Sequence, residues 1–150
     1  MITAAPSKWR FAVVKQADET VNNSTTLQDD DELKFDVAAN AVYLARGVLL
    51  SYSSVTADIK HAFTVPAATE MRLSAIYRSD NGSNVSVNGL DATTAFNSYG
   101  GAETAVLTWW AVIIVGATAG TVQLQWAQRA AEVSDTKVLA NSCIEVSRIA

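Results

Sequence analysis

Residues 104–115 read TAVLTWWAVIIV, residues 116–120 read GATAG, and residues 121–128 read TVQLQWAQ. The first run is rich in β-branched and aromatic side chains, the composition that suits a pleated surface. The last run puts Val122, Leu124 and Trp126 on one face and Thr121, Gln123 and Gln125 on the other. That period of two is the mark of a strand with one dry side. The small residues between the runs, bounded by glycines that tolerate positive φ, read as a turn. The stretch therefore predicts a β-hairpin.

Its first strand does not alternate. Val106, Trp110, Val112 and Ile114 share one parity, broken only by Thr108, while Leu107, Trp109, Ala111, Ile113 and Val115 share the other. A strand in an antiparallel sheet usually keeps one wet face, so two dry faces need two covers. One is the protein core and the other is a second subunit. Successive strand residues point to opposite sides, so Trp109 and Trp110 are expected to part, one entering the core and the other meeting a neighbouring copy. A membrane is the rival cover, but the apolar run is about a dozen residues where a spanning helix needs roughly 20. The chain is also too irregular to supply the lipid-facing band of a barrel.

Working outward, the chain shows short alternating runs separated by polar turns and no helical period. Residues 9–15 (WRFAVVK) alternate with Trp9, Phe11 and Val13 on one side, and a short strand is expected at residues 24–28. Residues 33–37 place Leu33, Phe35 and Val37 inward, and a turn follows at residues 38–40. Residues 41–53 form a long strand in which Gly47 marks a bulge or bend. Residues 57–65 and 71–79 are further strands, the first stopped by Pro66. Asn81-Gly82 signals a turn. Residues 88–103 read as a long loop with Phe96 and Tyr99 near its tip, candidates for contact with a partner or for capping the end of the sandwich. Residues 130–136 read as a loop and residues 138–149 as a last strand. The fold class is all-β, and a jelly-roll sandwich of about eight or nine antiparallel strands fits best, with other Greek-key sandwiches as alternatives. Residues 1–8 are expected to be a frayed terminus or an arm that orders on a neighbouring subunit, and residues 9–150 a single domain.

Composition narrows function. Of the 150 residues, 49% are hydrophobic and only 17% charged, so much polar surface is Ser, Thr, Asn and Gln or lies hidden between chains. A net charge of −4, with no cluster of Lys and Arg, argues against nucleic acid as a partner. Residues 1–8 lack a secretory pattern, which predicts folding in a cytoplasm. Cys143 is the only cysteine and reads as a small core residue.

No catalytic motif is present, and an enzyme is not expected. No cofactor is expected either. Asp29, Asp30, Asp31 and Glu32 form the only dense charge run. Oxygen-rich runs can bind Ca²⁺, but consecutive strand or turn carboxylates diverge, and a solvated turn is the expectation. His61, the only histidine, shares a face with Ile59, Phe63 and Val65 and reads as a hydrogen-bonded core or interface residue. An enzyme would have to use His61 or a carboxylate pair such as Asp58 and Glu70, and the sequence gives no geometric warrant for either. Arg46 shares its parity with Val42, Leu44, Val48 and Leu50, which marks it as a paired interface charge or a snorkelling edge residue. Trp109, Trp110, Arg46 and His61 are thus the candidate interface set.

Five segments carry a resemblance. They are ADETVNNS (17–24), LQDDDEL (27–33), AFTVP (62–66), AGTVQLQWAQ (119–128) and DTKVLANS (135–142). From about Lys15 to Ile149 the chain resembles a group of small structural proteins of tailed bacteriophages. The resemblance implies a virion protein with a jelly-roll domain, often a homotrimer, that decorates heads or builds fibre and tail-tip parts. It transfers no catalytic residues. The short stretch before Trp9 departs from a long fibre. The expected function is therefore capsid decoration, with the major capsid protein or other virion proteins, and further copies of itself, as partners. The alternative is a tail-fibre tip or receptor binder, with Trp109, Trp110, Phe96 and Tyr99 as contacts to host glycan or protein.

Overall fold

The computed structural model describes residues 9–78, 83–98 and 101–150. Residues 1–8, the turn expected at Asn81-Gly82, and Tyr99 lie outside that set, and for Phe96 only the backbone is described. Among the described residues there are twelve strands and no helix: β1 (Trp9–Val14), β2 (Glu19–Val21), β3 (Gln28–Val37), β4 (Val42–Ser53), β5 (Ile59–Thr64), β6 (Glu70–Arg78), β7 (Asn84–Asp91), β8 (Phe96–Ser98), β9 (Gly101–Ile114), β10 (Gly120–Gln128), β11 (Thr136–Val138) and β12 (Cys143–Arg148). The three strands β2, β8 and β11 are three residues long; the other nine run six residues or more, which matches the count that alternation predicts.

The strands form two antiparallel sheets. The wide one runs β1-β12-β4-β9-β6-β7, with β11 against β4 and β2 against β11; the narrow one runs β3-β10-β5-β8. Count only β1, β3, β4, β5, β8, β9, β10 and β12. The wide sheet then takes the first, eighth, third and sixth, and the narrow sheet the second, seventh, fourth and fifth. This is the strand order of a jelly roll. The hairpin β6–β7 is inserted between the fourth and fifth of these strands and widens one sheet beyond β9.

The core lies between the sheets and follows the alternation. Tyr43, Ala45 and Leu49 of β4, Leu107, Trp109 and Ile113 of β9, and Met71 and Leu73 of β6 face Leu33 and Phe35 of β3 and Val122, Leu124 and Trp126 of β10. Trp109 meets Phe63 edge to face, with ring centroids 4.9 Å apart, the favourable arrangement for two aromatic quadrupoles.

Several expectations are corrected. β9 and β10 are not a hairpin. Both hydrogen-bonding edges of β9 are occupied by β4 and β6, so β10 crosses to the other sheet and pairs with β3 and β5. The link between them is pinned where Asn40 N donates to Gly116 O and Val115 N donates to Ala41 O. Gly116 is required there, since a Cβ would stand 2.5 Å from Ala68 O. The strand expected at residues 24–28 is absent; β2 lies earlier and β3 begins at Gln28. The expected loop at residues 88–103 is largely strand, because β7 extends to Asp91 and β8 and β9 follow. Gly47 is not a bulge, and the register shift of β4 against β9 falls between Ser51 and Ser53. Gly47 instead makes room for its cross-strand partner Trp109, whose Nε1 would lie 2.3 Å from an added Cβ. The single last strand expected at residues 138–149 is two strands, β11 and β12.

Residues 29–32 are also not a solvated turn. They lie within β3, and Asp30 points inward with 0% exposure. Lys15 explains this. Its Nζ sits 3.0 Å from both Asp30 carboxylate oxygens and 2.9 Å from Glu19 Oε2, and its side chain is 1% exposed. Glu32 Oε2 stands 3.8 Å from the same ammonium. Asp30 Oδ1 also accepts from the backbone N–H groups of Glu32 and Leu33. A buried carboxylate is tolerable when an opposite charge and hydrogen bonds replace its water.

Candidate functional site: the outer face of the wide sheet

Alternation in β4, β6 and β9 sends the second apolar set outward. Leu44 and Val48 of β4, Trp110, Val112 and Ile114 of β9, and Ile76 of β6 are all exposed large hydrophobics. Register places them side by side: Leu44 pairs with Val112, Arg46 with Trp110, and Val48 with Thr108, which in turn pairs with Ile76. Val106 and Tyr52 continue the face towards one end. Trp110 is 48% exposed and Trp109 only 1%, so the two indoles do separate across the strand.

The face is held by charge as well. Arg46 Nε donates to Glu145 Oε2 at 2.6 Å, and Arg10 donates to Oε1 of the same carboxylate. Arg72 donates to Glu70 at 2.7 Å and to Asp91 at 2.6 Å. These pairs are exposed, so each adds little stability; their effect is to balance the charges of Arg10, Arg46 and Arg72 within the face. Two shallow depressions flank the Arg46–Trp110 row. One, of about 420 Å³, is lined by Leu44, Val112, Arg10 and Ser147. The other, of about 410 Å³, is lined by Val48, Thr108, Gly47 and Cys143. Cys143 is half-buried at that rim rather than a core residue.

The candidate interface set is thus divided. Arg46 and Trp110 lie on this face, whereas Trp109 and His61 are interior and removed from any surface of the chain. His61 lies opposite Trp126 on β10 and opposite the backbone of Phe96 on β8, with Nε2 3.0 Å from Ser98 Oγ. Burial pushes its pKa down to about 3. Between pH 6.5 and about 3 the unfolded chain takes a proton on this histidine and the folded chain does not. Stability is therefore expected to fall with pH across that window, by about 1.4 kcal/mol per pH unit from this group. His61→Gln should flatten that slope, as read from urea midpoints at about pH 4 and about pH 7.

Asp58 and Glu70 do not act as a pair: Asp58 engages Arg129 at 3.2 Å, and Glu70 engages Arg72. Among the described residues no group of three or more His, Cys, Asp or Glu is placed to hold a metal ion. No described helix is long and apolar enough to cross a membrane. Sequence reasoning missed Glu145, Arg10 and Ile76 as members of the face, because they reach it from strands far away in the chain.

No family model matches the sequence, and no curated protein matches it. Among solved structures the chain is similar to that of the infectious bursal disease virus Gt strain, at 8% identity over 94% of this chain and 37% of that one, with a TM-score of 0.23. It is likewise similar to the VP2 subviral particle of the same virus, at 10% identity over 94% and 41%, TM-score 0.23. A VP2 protein in T=1 particles gives 13% identity over 99% and 44%, TM-score 0.25. The chain spans less than half the length of these proteins. Superpositions this loose establish neither a common fold nor a common role, and the jelly roll is assigned on strand order alone.

Proposed function

We propose that this chain is a structural virion protein of a tailed phage, a capsid decoration protein that binds and stabilises the assembled head. The observation that carries the reading is a jelly roll whose wide sheet is dry on both faces, one against the core and one outward. Such a body is built to associate by surface rather than to transform a substrate. It agrees with what the phage resemblance implies. In this reading residues 9–150 act as one unit, residues 1–8 as an arm, and the working form is a homo-oligomer, a trimer as the resemblance implies. It is made in the host cytoplasm and resides on the capsid surface. A protein that binds the assembled lattice and not its free subunits stabilises the shell by mass action. Purified protein is expected to co-sediment with heads that lack it and to raise their disassembly temperature. Failure to sediment with any capsid preparation, while other virion proteins do, would sink the reading.

The second reading, a tail-tip or receptor-binding protein, is favoured by one observation. Trp110 presents its ring beside Arg10, Arg46, Glu145 and Ser147, an aromatic platform with hydrogen-bonding groups at its edge. Labelled protein that stains host cells, with staining abolished by Trp110→Ala, would favour it over decoration.

A further inference from the structure

The outward face of the wide sheet has relief. Arg46, Trp110 and Glu145 lie in one row across three adjacent strands, and a depression of about 420 Å³ lies on one side and one of about 410 Å³ on the other. We propose that a second copy of this chain covers this face, with the row of one copy seated in a depression of the next. The inference rests on the self-associating protein proposed above and assigns its self-contact to this face, leaving the capsid contact to other surfaces.

Three observations select a second copy over an unrelated partner. The first is area. The apolar side chains of the face expose on the order of 600 Å², the upper end of what a soluble monomer leaves open. With the arginine stems beside them this approaches the ~800 Å² per partner of a standard interface. The second is charge. Arg10, Arg46 and Arg72 are matched by Glu145, Glu70 and Asp91 within the face itself. Among the described side chains of the face, these cations meet an approaching copy already paired with carboxylates of their own face. A partner chosen by charge would call for an unbalanced face. The third is shape. One row beside depressions on both flanks gives each copy both a ridge to insert and a hollow to receive one, which a two-fold or a cyclic contact between identical chains can use.

The chain carries its own reporter. Cys143 lines the second depression and is half-buried, so a copy seated there slows its reaction with a thiol reagent. At tens of micromolar, wild-type protein is expected to sediment at a multiple of 16.0 kDa and to react slowly at Cys143, faster on dilution. Trp110→Glu and Thr108→Arg change exposed positions only. Each is expected to give a folded 16.0 kDa species with unchanged far-ultraviolet circular dichroism and a several-fold faster thiol reaction. Lys34→Glu, on the outer face of the narrow sheet, should change neither readout. A wild-type monomer overturns the inference, and so does an oligomer that survives both face variants with Cys143 still protected. Capsid co-sedimentation run in parallel separates the two proposals. A monomer that still binds heads removes only this one, and a face-dependent oligomer that ignores heads removes only decoration.

Discussion

Truncating Trp109 to alanine is expected to cost about 3–5 kcal/mol of folding stability, the usual range for an aromatic core residue. Trp109 is 1% exposed, packs edge to face on Phe63, and lies against the backbone at Gly47. Its Nε1 finds no hydrogen-bond acceptor among the described residues, so the loss comes from packing rather than from a broken polar contact. Gly47→Ala attacks the same contact from the other strand. The new Cβ would sit 2.3–2.7 Å from three atoms of the indole, and overpacking of this kind costs about 1–3 kcal/mol or more. The two changes should not add. With Trp109 already removed, the alanine at position 47 has room and fills part of the void, so Gly47→Ala should be near neutral in that background. Urea midpoints of the two single variants and the double variant measure the coupling. Equal costs in both backgrounds would show that Gly47 is needed for some reason other than the indole.

The second large effect belongs to Lys15. Lys15→Met keeps the apolar stem and removes the charge, leaving Asp30 ionised and enclosed. Breaking one side of a buried pair costs about 3–5 kcal/mol. The double variant Lys15→Met with Asp30→Asn should recover most of this. The amide oxygen introduced at position 30 would still accept from the N–H groups of Glu32 and Leu33, and no buried charge remains. Glu19 stays satisfied through Gln28 Nε2 and Asp31 N. The pH dependence has a defined sign. Burial pushes the ammonium down, but hydrogen bonds and charge from Glu19 and Asp30 outweigh it and raise its pKa above 10.5. The stability it contributes is therefore complete below pH 10.5 and lost as the pH rises through the higher folded value. Lys15→Met should lack that alkaline limb. A wild-type curve that is flat there would argue against the pair as drawn.

Which parts of this structure are legible in the chain follows from distance along it. The inward sets of β3 and β10 are readable because strand alternation is local, and each fell where period two puts it. The separation of Trp109 from Trp110 is readable for the same reason. The partner of a strand is not local. Residues 104–128 carry the pattern of two strands and a small-residue link, which a hairpin and a crossing between sheets share. Only the occupation of both edges of β9 by β4 and β6 decides between them. Asp30 looks like a surface residue until Lys15, in the loop after β1, is brought over it. Gly47 looks like a kink until Trp109 arrives from the neighbouring strand. The outer face was legible as an apolar parity on β9, but its charge balance was not. Glu145, Arg10 and Arg72 come from three other strands and meet there only once the jelly roll closes.

The pairing of β1 with β12 has a mechanical consequence. Trp9 stands opposite Arg148, and the ladder runs from there to Val14 opposite Cys143. Both ends of this body therefore leave from the same spot. Tension between them opens the ladder one rung after another, as a zipper opens, and never loads all the rungs at once. A load delivered across the flat of the wide sheet is shared along the long ladders of β4, β9 and β6. The body yields easily when drawn out by its ends and resists when pressed on its sides, which is how a tile behaves and not how a cable does.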